Sequence, residues 1–126
     1  MSNTPKKLLA VVEFMEHARL HEIYKSLGFE VTVEWQVRKA VALVKKLKPD
    51  VIVADFYAQS DFRDRLSNLE SLLAATQLLK DFKVLVYYEP HNLSALDRVR
   101  ERLHIDLALP MPVSDQVIRE AMDAWV

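Results

Sequence analysis

A chain of 126 residues has room for one hydrophobic core, and it reads as a single domain over residues 1–126. With 51% hydrophobic and 28% charged residues it has an ordinary globular composition, and a net charge of −1 favours neither nucleic acid nor an anionic membrane. Cysteine is absent and Gly28 is the only glycine, which excludes disulfides, thiolate metal sites, a cysteine nucleophile, and the Rossmann, P-loop and nucleophile-elbow motifs.

In chain order, Leu8 to Phe14 is a first buried strand, and no apolar run is long enough for a signal-peptide core or a membrane span. A cytoplasmic protein is therefore expected. Leu20, Ile23, Tyr24 and Leu27 recur at helical spacing and mark the first helix, which Gly28 ends. Phe29 to Glu34 alternates apolar and charged residues, as a half-exposed strand near a sheet edge does. Val37, Ala40, Val41, Val44 and Leu47 set the second helix, closed by Pro49. Pro49-Asp50-Val51-Ile52-Val53-Ala54-Asp55 then enters a strand whose unbroken apolar run predicts burial on both faces. Phe56 to Asn68 is polar and irregular with three aromatics. Leu69, Leu72, Leu73 and Thr76 set a third helix, and Lys83 to Tyr88 is a further strand stopped by Pro90. Asn92 or Ser94 can cap a fourth helix carrying Leu96, Val99 and Leu103 inward. Ile105 to Leu109 is a short fifth strand, and Ser114 caps a last helix with Val117, Ile118, Ala121, Met122 and Trp125.

Five βα units in succession predict a five-stranded parallel sheet with five helices on both faces, a flavodoxin-like three-layer sandwich. In such sheets ligands bind at the carboxyl ends of the strands, which puts Asp55 at the candidate functional edge.

The pattern resembles the receiver domain of two-component response regulators, of the chemotaxis-regulator (CheY-like) type, from about Lys7 to Trp125. The resemblance lies in Leu9-Ala10-Val11-Val12-Glu13, in Leu27-Gly28-Phe29-Glu30-Val31, in Lys48-Pro49-Asp50 leading to Asp55, and in Met111-Pro112-Val113-Ser114. It implies a phospho-acceptor aspartate at Asp55 and acids after the first strand that help to hold Mg²⁺. It also implies a Ser or Thr ending the fourth strand and a Lys before a proline after the fifth. Metal and Lys would neutralise the phosphoryl oxygens in the transition state. This sequence departs from that set. Glu13 matches the first acid, but Phe14 stands at the second, Tyr88 (or Tyr87, one residue earlier) at the hydroxyl position, and Met111 at the Lys position. The expectation is a degenerate receiver with no catalytic residue, no cofactor and no metal, Glu13 and Asp55 being the only candidate ligands. Mg²⁺ enters only if Asp55 is still phosphorylated.

The resemblance shifts the functional expectation to protein partners in bacterial signalling. Phe56, Tyr57, Phe62, Arg63 and Arg65 form an aromatic and Arg-rich candidate partner-binding loop, or else an ordinary surface loop with buried rings. A homodimer through the fourth and fifth helices is implied by the resemblance. A small-ligand module is the other alternative, and would need a pocket lined by Glu13, Asp55, Tyr57 and Tyr88. His17 and His21 have the i, i+4 spacing of a metal pair but read as solvent-facing, since no third ligand is placed. Lys45, Lys46 and Lys48 read as a solvated helix end, and Arg98, Arg100 and Arg102 as an exposed helix surface. Met15, Met111 and Met122 read as packing residues, and Trp125 as a core or dimer contact.

Overall fold

The computed structural model describes residues 6–13, 17, 20–56, 68–76, 79 and 81–125. In chain order the elements are β1 (Lys7–Val11), α1 (His21–Ser26), β2 (Glu30–Glu34), α2 (Val37–Leu47), β3 (Val51–Phe56), α3 (Asn68–Ala75), β4 (Lys83–Tyr88), α4 (Leu93–Arg100), β5 (Leu107–Pro110) and α5 (Asp115–Met122). The strands pair in parallel in the order β2-β1-β3-β4-β5, the doubly wound arrangement expected from the alternating pattern.

Side-chain alternation along each strand divides the core in two. Leu9, Val11, Ile52, Ala54, Phe56, Val84 and Val86 face one way, against Ala40 and Val44 of α2, Leu72 and Leu73 of α3, and Leu96 and Val99 of α4. Leu8, Ala10, Val51, Val53, Leu85 and Tyr87 face the other way, against Leu20, Ile23 and Tyr24 beside β1 and Ile118 and Met122 of α5. All six residues of β3 are buried, as its apolar run predicts, whereas β2 is only partly covered and lies at an edge.

Two aspartates close the amino edge of the sheet. The Asp50 carboxylate accepts the Lys7 N–H at 2.9 Å. Its own N–H donates to the Lys7 carbonyl, and its carbonyl accepts the Lys83 N–H, both at 2.9 Å. The Asp106 carboxylate likewise accepts the Val84 N–H at 2.7 Å. Strand-end backbone groups have no ladder partner of their own, and these bonds satisfy them.

The helix ends follow local chemistry. Gly28, at φ +102°, donates to the Lys25 carbonyl while Phe29 donates to that of Tyr24, a Schellman ending that a β-carbon would strain. Ser114 caps α5 through the Val117 N–H at 3.2 Å, as expected. Asn92 precedes α4 at the end of a 3-10 turn over Pro90–Asn92 but makes no side-chain cap bond, and Ser94 lies inside the helix. The first strand stops at Val11, short of the predicted Phe14, and the fifth starts at Leu107 rather than Ile105. Phe14, Met15, Tyr57, Phe62, Arg63 and Arg65 lie outside the described residues. Met122 is fully buried in the core, with Trp125 and Met111 partly buried against the same cluster.

Ile52, the second residue of the central strand β3, has 0% exposure. Replacing it by Ala is expected to lower unfolding stability by about 2–5 kcal/mol, read from urea unfolding midpoints.

Candidate functional site

Asp55 is the fifth residue of β3, on the same side of the sheet as Val51 and Val53. In the β3–β4 ladder it stands opposite Tyr87, with Phe56 opposite Tyr88. Paired residues of parallel strands share a face, so Tyr87 stands on the Asp55 side and Tyr88 on the other. Tyr88 packs with the Phe56 cluster. Of the two tyrosines that the resemblance left open, Tyr87 is therefore the neighbour of Asp55.

Asp55 lies at the carboxyl edge, as the strand pattern predicts, but it does not open to solvent: its side chain has 0% exposure. Its Oδ2 accepts the Glu13 N–H at 2.8 Å and lies 3.0 Å from Nδ1 of His17. Nε2 of His17 lies 2.9 Å from the Tyr24 hydroxyl, which is 2.8 Å from the Tyr87 hydroxyl. Four side chains thus form one buried chain, Asp55–His17–Tyr24–Tyr87. One proton arrangement gives every donor in it an acceptor: Tyr87 donates to Tyr24, Tyr24 to Nε2, and Nδ1–H to Asp55. The His17 ring also packs edge-on against both phenols, with centroids 6.0 Å from Tyr24 and 5.0 Å from Tyr87.

This corrects the reading of His17 and His21 as a solvent-facing pair. His17 is buried at 1% exposure and committed to Asp55, while His21 is half-buried. The physical reason is that burying the Asp55 carboxylate requires compensating donors. Tyr24 was legible only as an apolar helix position. Its signal was available, since a tyrosine on a buried face needs a partner for its hydroxyl, and His17 stands seven residues before it. Phe56 is also corrected: it ends β3 inside the core at 2% exposure and does not belong to a partner-binding loop.

The remaining site positions are distributed around this chain. Glu13 is partly buried and supplies the backbone donor to Asp55. Met111, partly buried on the Tyr87 side, donates its N–H to the Tyr88 carbonyl at 2.8 Å. Among the described residues no group of three His, Asp or Glu side chains could hold a metal ion. The pocket needed by the small-ligand alternative would have to combine Asp55 and Tyr88, which lie on opposite faces of the sheet. Among the described residues, a cavity of about 90 Å³ lies at the amino edge, lined by Lys7, Leu8, Glu30, Thr32, Leu47 and Pro49.

Burial holds the Tyr24 phenol well above the usual 10.0, with Tyr87 and then the Asp55 charge adding to the effect. Burial raises Tyr87 as well, and the Asp55 charge reinforces it. Both phenols therefore stay protonated in the fold beyond the pH at which the unfolded chain releases them. Their contribution to stability is fully present below about pH 10 and is lost as pH rises above it. Urea unfolding across this range is expected to show stability falling with pH in the wild type. The slope is expected to be shallower in Tyr24→Phe and shallowest in Tyr24→Phe/Tyr87→Phe.

No protein-family model matches the sequence, and no curated relative matches it. Solved structures do. The solution structure of a response regulator protein from Burkholderia multivorans aligns with a TM-score of 0.73 at 22% identity, over 97% of this chain and 95% of that one. The REC domain of a response regulator from Geobacillus stearothermophilus gives 0.77 at 20% identity, over 96% and 92%. The receiver domain of a sensor histidine kinase from Pseudomonas aeruginosa, which has a magnesium ion coordinated in its active-site cleft, gives 0.76 at 14% identity, over 97% and 98%. At these identities the likeness is one of architecture, and it is consistent across almost the whole length of both partners: this chain has the fold of the CheY-like response-regulator receiver domains.

Proposed function

We propose that this chain is a degenerate receiver, a non-enzymatic protein–protein interaction module of bacterial signal transduction that works in the cytoplasm without Mg²⁺-dependent phosphorylation. The observation that carries this reading is the state of Asp55. An acceptor carboxylate has to present an oxygen to a phosphodonor and a hard cation. Here the carboxylate is fully buried, and Oδ2 is occupied by the Glu13 N–H and the His17 ring. An imidazole and a backbone N–H are donors to the carboxylate, whereas Mg²⁺ needs oxygen ligands and keeps several waters. Met111 at the Lys position brings no charge to the transferring phosphoryl group. Asp55 thus acts as an acceptor of hydrogen bonds within the fold.

The test is incubation with acetyl phosphate and Mg²⁺, followed by intact-protein mass measurement, alongside beryllofluoride titration. No phosphoryl adduct and no Mg²⁺-dependent spectral change are expected. A stoichiometric adduct that disappears in Asp55→Asn overturns the reading.

The same proposal includes a homodimer through α4 and α5. Leu93, the first residue of α4, is 43% exposed and Val117 of α5 is 41% exposed, so each helix presents a large apolar side chain near the β5 edge. Sedimentation of the wild type against Val117→Glu checks this. The wild type is expected to show a concentration-dependent dimer that the variant loses, and a wild-type monomer at all concentrations removes the dimer from the proposal.

A further inference from the structure

The segment from Trp35 to Lys48 carries five cations, Arg38, Lys39, Lys45, Lys46 and Lys48, and no acid. All five are exposed, and none takes part in an ion pair among the described residues. At 3.6 residues per turn, Arg38, Ala42, Lys45 and Lys46 share one side of α2 with Lys39 at its border. The opposite side holds Ala40 and Val44, both at 0% exposure. The result is a basic stripe about 12 Å long with a small residue, Ala42, at its centre. Trp35, 51% exposed, stands at the amino end of the stripe, at the carboxyl edge of the sheet.

The helix macrodipole accounts for cations in the last turn, and Lys45 and Lys46 are there. The same field disfavours Arg38 and Lys39, since the first turn of α2 contains no acid. These two residues weaken the helix and pair with no carboxylate among the described residues, so the described part of the fold gives them no stabilising role. Extended polyanions fit poorly. The stripe is confined to one helix, Glu30 and Glu34 lie on the adjoining edge strand β2, and the whole chain carries −1. A short acidic segment matches the size of the stripe, and an exposed Trp beside it supplies the aromatic anchor typical of protein interfaces.

We propose that the α2 face, from Trp35 to Lys48, docks an acidic amphipathic segment of a partner protein, its carboxylates meeting Arg38, Lys39, Lys45 and Lys46 and an apolar side chain covering Trp35. This rests on the reading of the chain as an interaction module, and it names a surface and a partner chemistry for it. Electrostatic docking of this kind weakens with salt, while the Trp35 contribution persists.

The probe is a capped synthetic helix of Glu, Ala and Leu, titrated into the isotopically labelled full chain and followed by amide and indole NMR shifts. Its control is the same peptide with Lys in place of Glu. Shifts confined to Trp35–Lys48, seen with the Glu peptide alone, are the expected result, with roughly tenfold or greater loss of affinity in Arg38→Glu/Lys45→Glu. Trp35→Ala is expected to weaken binding without changing its salt dependence. Arg38→Glu alone should also weaken binding, and it should melt at or above the wild-type temperature because it relieves the clash with the helix dipole, so its loss of binding cannot be ascribed to unfolding. The proposal is overturned if the shifts map elsewhere, if the double variant binds like the wild type, or if a DNA duplex or a phosphatidylglycerol vesicle binds this face as tightly as the peptide. A failure here, with Asp55 still refractory to acetyl phosphate, moves docking to another face and leaves the interaction reading standing. Phosphorylation of Asp55 overturns that reading itself.

Discussion

The arrangement of the functional edge depends on the burial of one carboxylate. Asp55 is the penultimate residue of a strand with no exposed residue, and a carboxylate removed from water must find donors inside the fold. The Glu13 N–H and the His17 ring meet that need. His17, equally buried, then requires a partner for its second nitrogen, and Tyr24 and Tyr87 extend the chain until it is satisfied. Each burial creates the requirement that the next residue fills. The consequence is a polar seam joining the turn after β1, helix α1, and strands β3 and β4.

That seam changes what a receiver-like edge can do. A site for phosphoryl transfer keeps its carboxylate facing outward, with a cation and a charged side chain converging on the incoming phosphorus. In this chain the carboxylate faces inward, and the groups around it hold it in place. The aromatic Tyr87 belongs to the same buried chain, so the carboxyl edge on the β3–β4 side is occupied by structure. The proposed interaction surfaces lie where the core does not reach: the apolar residues exposed on α4 and α5, and the basic side of α2. The two ends of the sheet are unequal in this respect. At the amino edge Asp50 and Asp106 also use their carboxylates to finish strand ends, but from partly exposed positions where backbone donors suffice.

The layers of the fold were legible because periodicity and burial are local signals. The unbroken apolar run of β3, the alternation in β2, the Gly28 helix end and the Ser114 cap each declare themselves within a few residues. The strand ends were less legible, since hydrogen bonding rather than hydrophobicity decides where a ladder stops: β1 ends at Val11 although the apolar character continues. The choice between Tyr87 and Tyr88 illustrates the same limit. Both are aromatic and adjacent, and only the ladder register, with Asp55 opposite Tyr87, assigns one to the seam and the other to the opposite core.

By itself the sequence determined the order of elements, the parallel sheet, the candidate edge and the identity of Asp55 as the acid at its centre. These follow from spacing along the chain. It also put apolar residues, Phe14 and Met111, at the two positions where the resemblance implies a second acid and a Lys. Only the tertiary structure decided that Asp55 is buried and that His17 is its partner in place of solvent. Those facts depend on contacts between residues 38 apart in the case of His17 and Asp55, and 63 apart in the case of Tyr24 and Tyr87. A hydrogen bond between side chains has no period and leaves no local pattern, so it becomes readable only when the strands have been set side by side.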